Sequence, residues 1–156
     1  MSIHGAAGPT LGDVGHSVAG GLGVSPLPWM TVTVSAERSH LPSRRQTFPG
    51  SVSHFRGGTF TLASVEAQIL PLGRDRIGPY ALVGFGVGRS RPNVTPVFPT
   101  PVVTSVVAPF AGGGLRVPVG ERLSFFADLR LALVVGTESD DLYALTPLRA
   151  GLSWRF

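Results

Sequence analysis

The last stretch of the chain, residues 149–156 (RAGLSWRF), decides the fold. Counting back in steps of two from the C-terminus, one face is apolar and carries Phe156, Trp154, Leu152, Ala150 and Leu148. The other face is polar or small and carries Arg155, Ser153, Gly151 and Arg149. Strict alternation of this kind indicates a β-strand with one side in an apolar medium. A terminal aromatic residue suits a membrane interface, because the termini of soluble domains usually fray into water.

The composition narrows the class of protein. The 156 residues correspond to one domain, and only 14% of them are charged, against the usual quarter. Because cysteine is absent, disulfides, thiolate metal sites and thiol nucleophiles are excluded. All 13 basic residues are arginines, and they are dispersed along the chain, whereas a nucleic-acid-binding protein needs a clustered basic face. We therefore expect no nucleic-acid partner.

Targeting and membrane-helix signals are missing from the sequence. Residues 1–13 (MSIHGAAGPTLGD) contain neither the charged n-region nor the apolar h-region of a secretory signal peptide. The chain also has no run of about 18 apolar residues, the length required for a transmembrane helix.

Extended, alternating segments dominate the chain and are separated by breaks rich in Gly, Pro, Ser or Asp. Seven of them are predicted as strands, at residues 14–25, 29–39, 56–70, 77–91, 102–117, 122–135 and 143–156. Strands of ten or more residues are about twice as long as those of soluble sheets, but they match tilted strands that cross a bilayer.

The breaks between these segments alternate in length. The longer ones are residues 40–55, 92–101 and 136–142, and the shorter ones are residues 25–28, 71–76 and 118–121. Short turns at one end and longer loops at the other are typical of outer-membrane barrels. The sequence therefore predicts an all-β, antiparallel, up-and-down transmembrane β-barrel.

Several charged residues of the strands fall on the parity opposite to the apolar face. We predict that they point into the barrel, and because buried charges need partners, that they form an ion-pair network in a narrow lumen. The predicted network comprises Glu37, Glu66, Arg116, Asp128, Arg130 and Arg149, and Arg155 shares their parity. Small inward residues are expected to make room for the guanidinium groups and for Phe60 and Phe126; these are Gly21, Gly23, Gly84, Gly86 and Gly88. In a barrel of about eight strands, side chains fill the interior and leave no open pore.

Three stretches resemble the small outer-membrane β-barrel family, the eight-stranded OmpA/OmpX type. They are residues 78–88 (GPYALVGFGVG), residues 113–120 (GGLRVPVG) and the ending from Arg149. The resemblance implies eight strands and a location in the outer membrane of a Gram-negative bacterium. The ending is similar to the assembly signal of such proteins, which the barrel-insertion machinery reads. That role would fall here to Arg149, Gly151, Trp154 and Phe156.

The strand count departs from this family. Seven strands are readable, whereas bacterial single-chain barrels have an even number, and an unclosed sheet is intolerable in lipid. Either the sequence starts late and lacks a first strand, which is the interpretation we favour, or one strand has been missed in the count. Under the first interpretation, residues 1–13 are an N-terminal loop segment that would follow the missing strand, and residues 14–156 are the barrel domain.

Several short patterns have alternative interpretations. Gly84, Gly86 and Gly88 have the spacing of a phosphate-binding loop, but no helix or Lys-Ser/Thr pair follows, which favours a strand with small inward residues. The sequon at residues 93–95 (NVT) is expected to be an ordinary loop. Glu138, Asp140 and Asp141 form an acidic loop that either is solvated or binds a cation.

The histidines give no strong signal of a metal site. All four are expected near the outer rim or in loops, and no pair has metal-ligand spacing; they are His4, His16, His40 and His54. We therefore expect no metal and no cofactor.

The function that these features favour is non-enzymatic: a structural or surface-interaction barrel whose partners are outer-membrane lipid and the insertion machinery. One alternative is a lipid-modifying barrel enzyme that uses His16 with Ser17, or Ser53 with His54. Another is a soluble lipocalin-like carrier with an apolar inside, because alternation alone does not say which face is outside.

Overall fold

The computed structural model describes residues 1–11, 15–48, 51–55, 57–96, 99–136 and 142–156. Eight strands form a closed barrel: β1 (Ser2–Leu11), β2 (Gly15–Leu27), β3 (Met30–Leu41), β6 (Gly58–Ile69), β7 (Gly78–Pro92), β8 (Thr104–Val119), β9 (Leu123–Gly136) and β10 (Leu142–Arg155). A separate two-stranded hairpin, β4 (Arg44–Phe48) and β5 (Ser51–Phe55), lies within the predicted connection 40–55. Among the described residues, no helix has the length and hydropathy needed to cross a bilayer.

The order around the barrel is β1-β10-β9-β8-β7-β6-β3-β2, and every neighbouring pair is antiparallel. Apart from the hairpin β4–β5, each strand is therefore followed around the wall by the next strand of the chain. The predicted antiparallel up-and-down barrel is confirmed.

The interpretation of residues 1–13 as a loop is wrong, and so is the count of seven strands. Residues 2–11 form β1, in which Ser2 lies opposite Arg155 on one side and Gly23 on the other. The outward positions of this strand are Ile3, Gly5, Ala7 and Pro9. Gly, Ala and Pro are depleted in strands, so the alternation of apolar and polar residues in β1 was too weak to recognise. Because β1 joins β10 to β2, the sheet closes and neither strand is left as an open edge.

The two faces of the wall have opposite polarity, and β9 shows this most clearly. Leu129 and Leu131 point outward and remain 44% and 53% exposed, whereas Asp128 and Arg130 point inward and are 1% and 4% exposed. Leu152 and Trp154 also point outward. The apolar parity is thus the outer face, as predicted, and the lipocalin-like alternative, which requires an apolar inside, is contradicted.

The lumen contains an apolar layer as well as a charged one. Most of its members lie near the strand ends that precede or follow the long loops, among them Leu41, Phe60, Val106, Val134 and Leu145. These side chains are 0–4% exposed and pack against one another inside the wall. They form an apolar plug between the long loops and the charged residues in the middle of the lumen.

A charged belt across the lumen

Ionisable side chains from five strands meet in the middle of the lumen. Each occupies an inward position of its strand, where the period of two places alternate residues on the enclosed side. We call this group the charged belt: Glu37 on β3, Glu66 on β6, Tyr80 on β7, Asp128 and Arg130 on β9, and Arg149 on β10.

Asp128 is the centre of the belt and accepts four hydrogen bonds. Arg149 binds it bidentately, with Nε 3.0 Å from Oδ1 and Nη2 3.0 Å from Oδ2. Arg130 Nε donates to Oδ1 at 3.2 Å, and the Tyr80 hydroxyl donates to Oδ2 at 2.8 Å. Charge-assisted and bidentate bonds of this kind are the strongest that side chains form, so they compensate for the burial of the carboxylate.

Two further ion pairs cross the lumen. Arg149 Nη1 lies 3.4 Å from Glu37 Oε2. Arg130 Nη2 lies 2.6 Å from Glu66 Oε2 and forms an ion pair with it, but the angles are not those of a good hydrogen bond. In each case the two strands are three places apart in the closed order of eight, which is nearly the full width of the barrel. Ser39 and Gln68 hold the two glutamates by donating at 3.1 and 2.8 Å.

The belt borders a cavity of about 20 Å³, which is lined by His4, Glu66, Tyr80, Arg116 and Arg149, among others. This is about the space that one water molecule needs. Arg130 also lies over the ring of Phe110, with its guanidinium carbon 5.1 Å from the ring centroid, which gives the cation a favourable aromatic neighbour.

Five of the six residues predicted for the network are joined by salt bridges, and the sixth, Arg116, is not. Its Nη2 donates to Ser124 Oγ at 3.4 Å, and no described carboxylate pairs with it. Arg155 lies at the short-turn rim, where Nη1 bonds to Asp75 Oδ1 at 2.6 Å and Nη2 donates to the Glu121 carbonyl. The hydrogen bond from Arg155 lowers the pKa of the Asp75 carboxyl below its ordinary value. The predicted lumen charges therefore separate into the belt, Arg116 outside the belt, and Arg155 at the short-turn rim.

The inward glycines accommodate neighbours other than guanidinium groups, so that part of the prediction is wrong. A Cβ at Gly84 would lie 2.4 Å from Cζ of Phe110, and one at Gly151 would lie 2.5 Å from Cζ of Phe126. A Cβ at Gly21 would lie 2.7 Å from Cβ of Ser35. Gly84, Gly86 and Gly88 all lie within β7, so the favoured interpretation of this pattern as a strand is confirmed.

Comparison with solved structures identifies the fold, since no family model and no curated protein sequence matches this chain. The crystal structure of Neisserial surface protein A matches with a TM-score of 0.73 at 12% identity, over 99% of this chain and 96% of that one. The chain has the fold of the small outer-membrane β-barrels. The N-terminal barrel domain of Pseudomonas aeruginosa OprF also matches, with a TM-score of 0.64 at 15% identity over 99% and 96% of the two chains. A major outer membrane protein from Thermus thermophilus gives 0.60 at 14% identity over 99% and 98%.

The histidines of this small barrel do not all lie where the sequence predicted. His4 is on β1 and lines the lumen cavity, so its predicted position at the outer rim is wrong. His16 and His40 lie opposite each other on β2 and β3 near the long loops, with ring centroids 5.4 Å apart. The side chain of His54 lies outside the described residues. No cluster of three or more potential metal ligands occurs in the part of the chain that the structure describes.

The geometry gives no support to a His–Ser dyad in the barrel wall. Ser17 is an inward residue, 1% exposed, and its hydroxyl donates to the Gly8 carbonyl at 3.5 Å. His16 is exposed on the opposite face, as the period of two requires of consecutive residues. The side chains of Ser53 and His54 lie outside the described residues, as does the acidic loop with Glu138, Asp140 and Asp141.

The sequon and the C-terminal residues have defined surroundings. Asn93 Nδ2 donates to the Leu41 carbonyl at 3.0 Å, which ties the β7–β8 loop to the end of β3. Arg149 belongs to the belt, and Gly151 lies beneath the ring of Phe126. Trp154 and Phe156, in contrast, are 44% and 75% exposed on the outer face.

Proposed function

We propose that this protein is an outer-membrane barrel with a lumen filled by side chains, which acts as a structural or surface-interaction protein and catalyses no reaction. The membrane location is supported by the continuous apolar outer face, which in water would be a large unprotected hydrophobic patch. It is further supported by the likeness to three outer-membrane proteins of the same fold.

The observation that carries the filled lumen is the pair of salt bridges that cross it. Arg149 with Glu37 and Arg130 with Glu66 span the barrel in two directions, and both arginines are also anchored on Asp128. Above them lies the apolar plug of Leu41, Phe60, Val106, Val134 and Leu145. An ion that passes through the lumen would have to break the belt and cross the plug, so we expect no steady conductance.

The absence of an enzymatic reaction is supported by the placement of candidate catalytic groups. Ser17 and His16 lie on opposite sides of the wall, so no nucleophile and base come together there. The belt groups are engaged with one another and do not face bulk solvent.

Refolding in detergent tests the membrane barrel. We expect unheated protein to migrate faster in gel electrophoresis than boiled protein, because a closed barrel resists the detergent and stays compact. Protein that stays monomeric in buffer without detergent would contradict the membrane location.

Planar bilayers test the filled lumen. Reconstituted wild-type protein is expected to give no stepwise currents. Stepwise currents through the wild type would contradict the proposal if their size changes with the inward substitution Arg130→Ala but not with the outward substitution Leu131→Ala. This result would show an open path through the lumen.

We also propose that the barrel-insertion machinery reads the C-terminal strand through Gly151, Trp154 and Phe156. Deletion of Phe156 is expected to reduce the amount of membrane-assembled protein in cells several-fold, while refolding in detergent is retained, because Phe156 is exposed and outside the lumen. Replacement of the equally outward Leu148 with alanine is the control. Equal assembly of the deletion variant and the wild type would contradict this role.

A further inference from the structure

A groove of about 630 Å³ lies on the outer surface of the barrel near the long loops. Its floor is formed by three exposed arginines and two threonines of adjacent strands: Arg38 on β3, Thr59 and Thr61 on β6, and Arg89 and Arg91 on β7. The β7–β8 loop provides the wall through Asn93, Val94 and Val103. We call this site the arginine groove.

The strand register explains why a groove forms at this position. Thr61 lies opposite Arg38 on one side and opposite Arg89 on the other, and Thr59 lies opposite Arg91. Adjacent strands are about 4.8 Å apart, so Arg38 and Arg89 face each other across about 10 Å, and Arg91 follows about 7 Å along β7. The short threonine side chains between the long arginines leave the space open.

The arginine groove begins where the apolar outer face ends. Toward the middle of the barrel wall, the next outward positions on the same three strands are Ala36, Ala63 and Val87, which lie opposite one another. Beyond them lie Val34, Val65 and Phe85, which are again opposite one another and are 50–60% exposed. If these residues contact hydrocarbon, the arginines lie at the headgroup level of the leaflet on the long-loop side.

None of the three arginines has an acidic partner among the described residues. The described carboxylates are either in the lumen, as Glu37, Glu66 and Asp128, or at the short-turn rim, as Asp75 and Glu121. Clustered positive charges at the edge of an apolar region repel one another, and a bound anion relieves this repulsion. The planar guanidinium fork matches the geometry of a phosphate and binds it bidentately.

The wall of the groove is held in place by hydrogen bonds. The side-chain Nδ2 of Asn93 donates to the Leu41 carbonyl at 3.0 Å, and the backbone N–H of Asn93 donates to the Gly57 carbonyl at 3.4 Å. His40 Nδ1 lies 3.3 Å from Thr59 Oγ1 at the same level. The loop is thereby fixed to the strands that carry Arg38 and the threonines, so the groove is present before any ligand binds.

We propose that the arginine groove binds the phosphate groups of an anionic lipid in the leaflet on the long-loop side. Arg38 and Arg89 hold one phosphate-bearing headgroup from its two sides, and Arg91 adds a third contact. This inference rests on the proposed membrane location.

The test uses the full chain refolded in uncharged detergent micelles that are titrated with a diphosphorylated glycolipid, and native mass spectrometry counts the bound lipid. The double substitution Arg38→Gln, Arg89→Gln is expected to weaken binding about tenfold or more, because it removes the charge-assisted bonds on both sides. The matched control is Arg76→Gln, Arg122→Gln, which removes the same charge from exposed residues at the short-turn end and is expected to leave binding unchanged. Raising the salt concentration is expected to weaken binding by the wild type.

Several outcomes would overturn the proposal. Equal losses in both double variants would show a response to net charge alone, and equal binding of the dephosphorylated glycolipid would show that phosphate is not recognised. Inorganic phosphate that binds as tightly as the lipid would assign the groove to a free anion instead. Failure of the lipid to bind a protein that shows heat-modifiable migration would overturn this inference alone, whereas failure to form a compact barrel in detergent would overturn the membrane location as well.

Discussion

The two faces of β9 carry the same alternation but are held in different ways. On the inner face, Asp128 and Arg130 each have specific partners at fixed distances, on the neighbouring strand β10 and on β6 across the lumen. On the outer face, Leu129, Leu131 and Leu133 need only an apolar medium and no particular neighbour. We therefore expect the inner face to tolerate few substitutions and the outer face to tolerate the exchange of one apolar residue for another.

The largest effect is expected for Asp128→Ala. The substitution leaves Arg130 and Arg149 buried without their central carboxylate, and breaking a buried ion pair costs about 3–5 kcal/mol. The loss is measured as the change in the free energy of unfolding, with denaturant added to protein in detergent. Outward Leu129→Ala, at the adjacent position, is the control and should have a clearly smaller effect. Equal losses in the two variants would remove the distinction between the faces.

A charge on the outer face is expected to have the next largest effect. Leu131→Arg places a guanidinium group among outward leucines, and a cation at the middle of a lipid-facing wall costs about 2–4 kcal/mol. Unfolding of the variant in lipid vesicles gives the value, and Leu131→Met is the apolar control. If Leu131→Arg is neutral, the outer face does not contact hydrocarbon.

A small inward residue tests how tightly the lumen is packed. Gly84→Ala introduces a methyl group 2.4 Å from the Phe110 ring and 2.6 Å from the Val65 carbonyl. Overpacking of this kind costs about 1–3 kcal/mol. Gly20, which faces outward and has only the His4 carbonyl within reach at 3.8 Å, is the matched site for Gly20→Ala. Similar unfolding free energies for the two variants would indicate a loosely packed lumen.

The smallest effect is expected at the short-turn rim. Because Arg155 lowers the pKa of folded Asp75, the ion pair stabilises the protein above the ordinary aspartate pKa of about 4, and this contribution is lost as the pH falls through the lowered value. Wild-type protein should therefore exceed Asp75→Asn in stability at neutral pH by a small margin that disappears in acid. A difference in stability between the two proteins that grows on acidification would contradict the pairing. Because the Asp75 side chain is 68% exposed, salt should also reduce this difference.

Strands such as β9 and β10 could be recognised from the sequence because large apolar residues alternate with charged ones over their whole length. The same criterion failed for β1, where Gly5, Ala7 and Pro9 occupy outward positions that only pairing with β10 and β2 secures. For the belt, parity identified which residues point inward. It could not distinguish Arg130, which pairs with Asp128 and Glu66, from Arg116, which pairs with neither.

The sequence by itself determined the class of fold and the polarity of each face, because a strand repeats every two residues and this repeat can be read locally. The tertiary structure decided the closure by β1, the partners across the lumen and the grouping of Arg38 with Arg89 on either side of Thr61. These features depend on which strands lie next to or opposite one another and in what register. Such relations join residues far apart in the chain, and no local repeat encodes them.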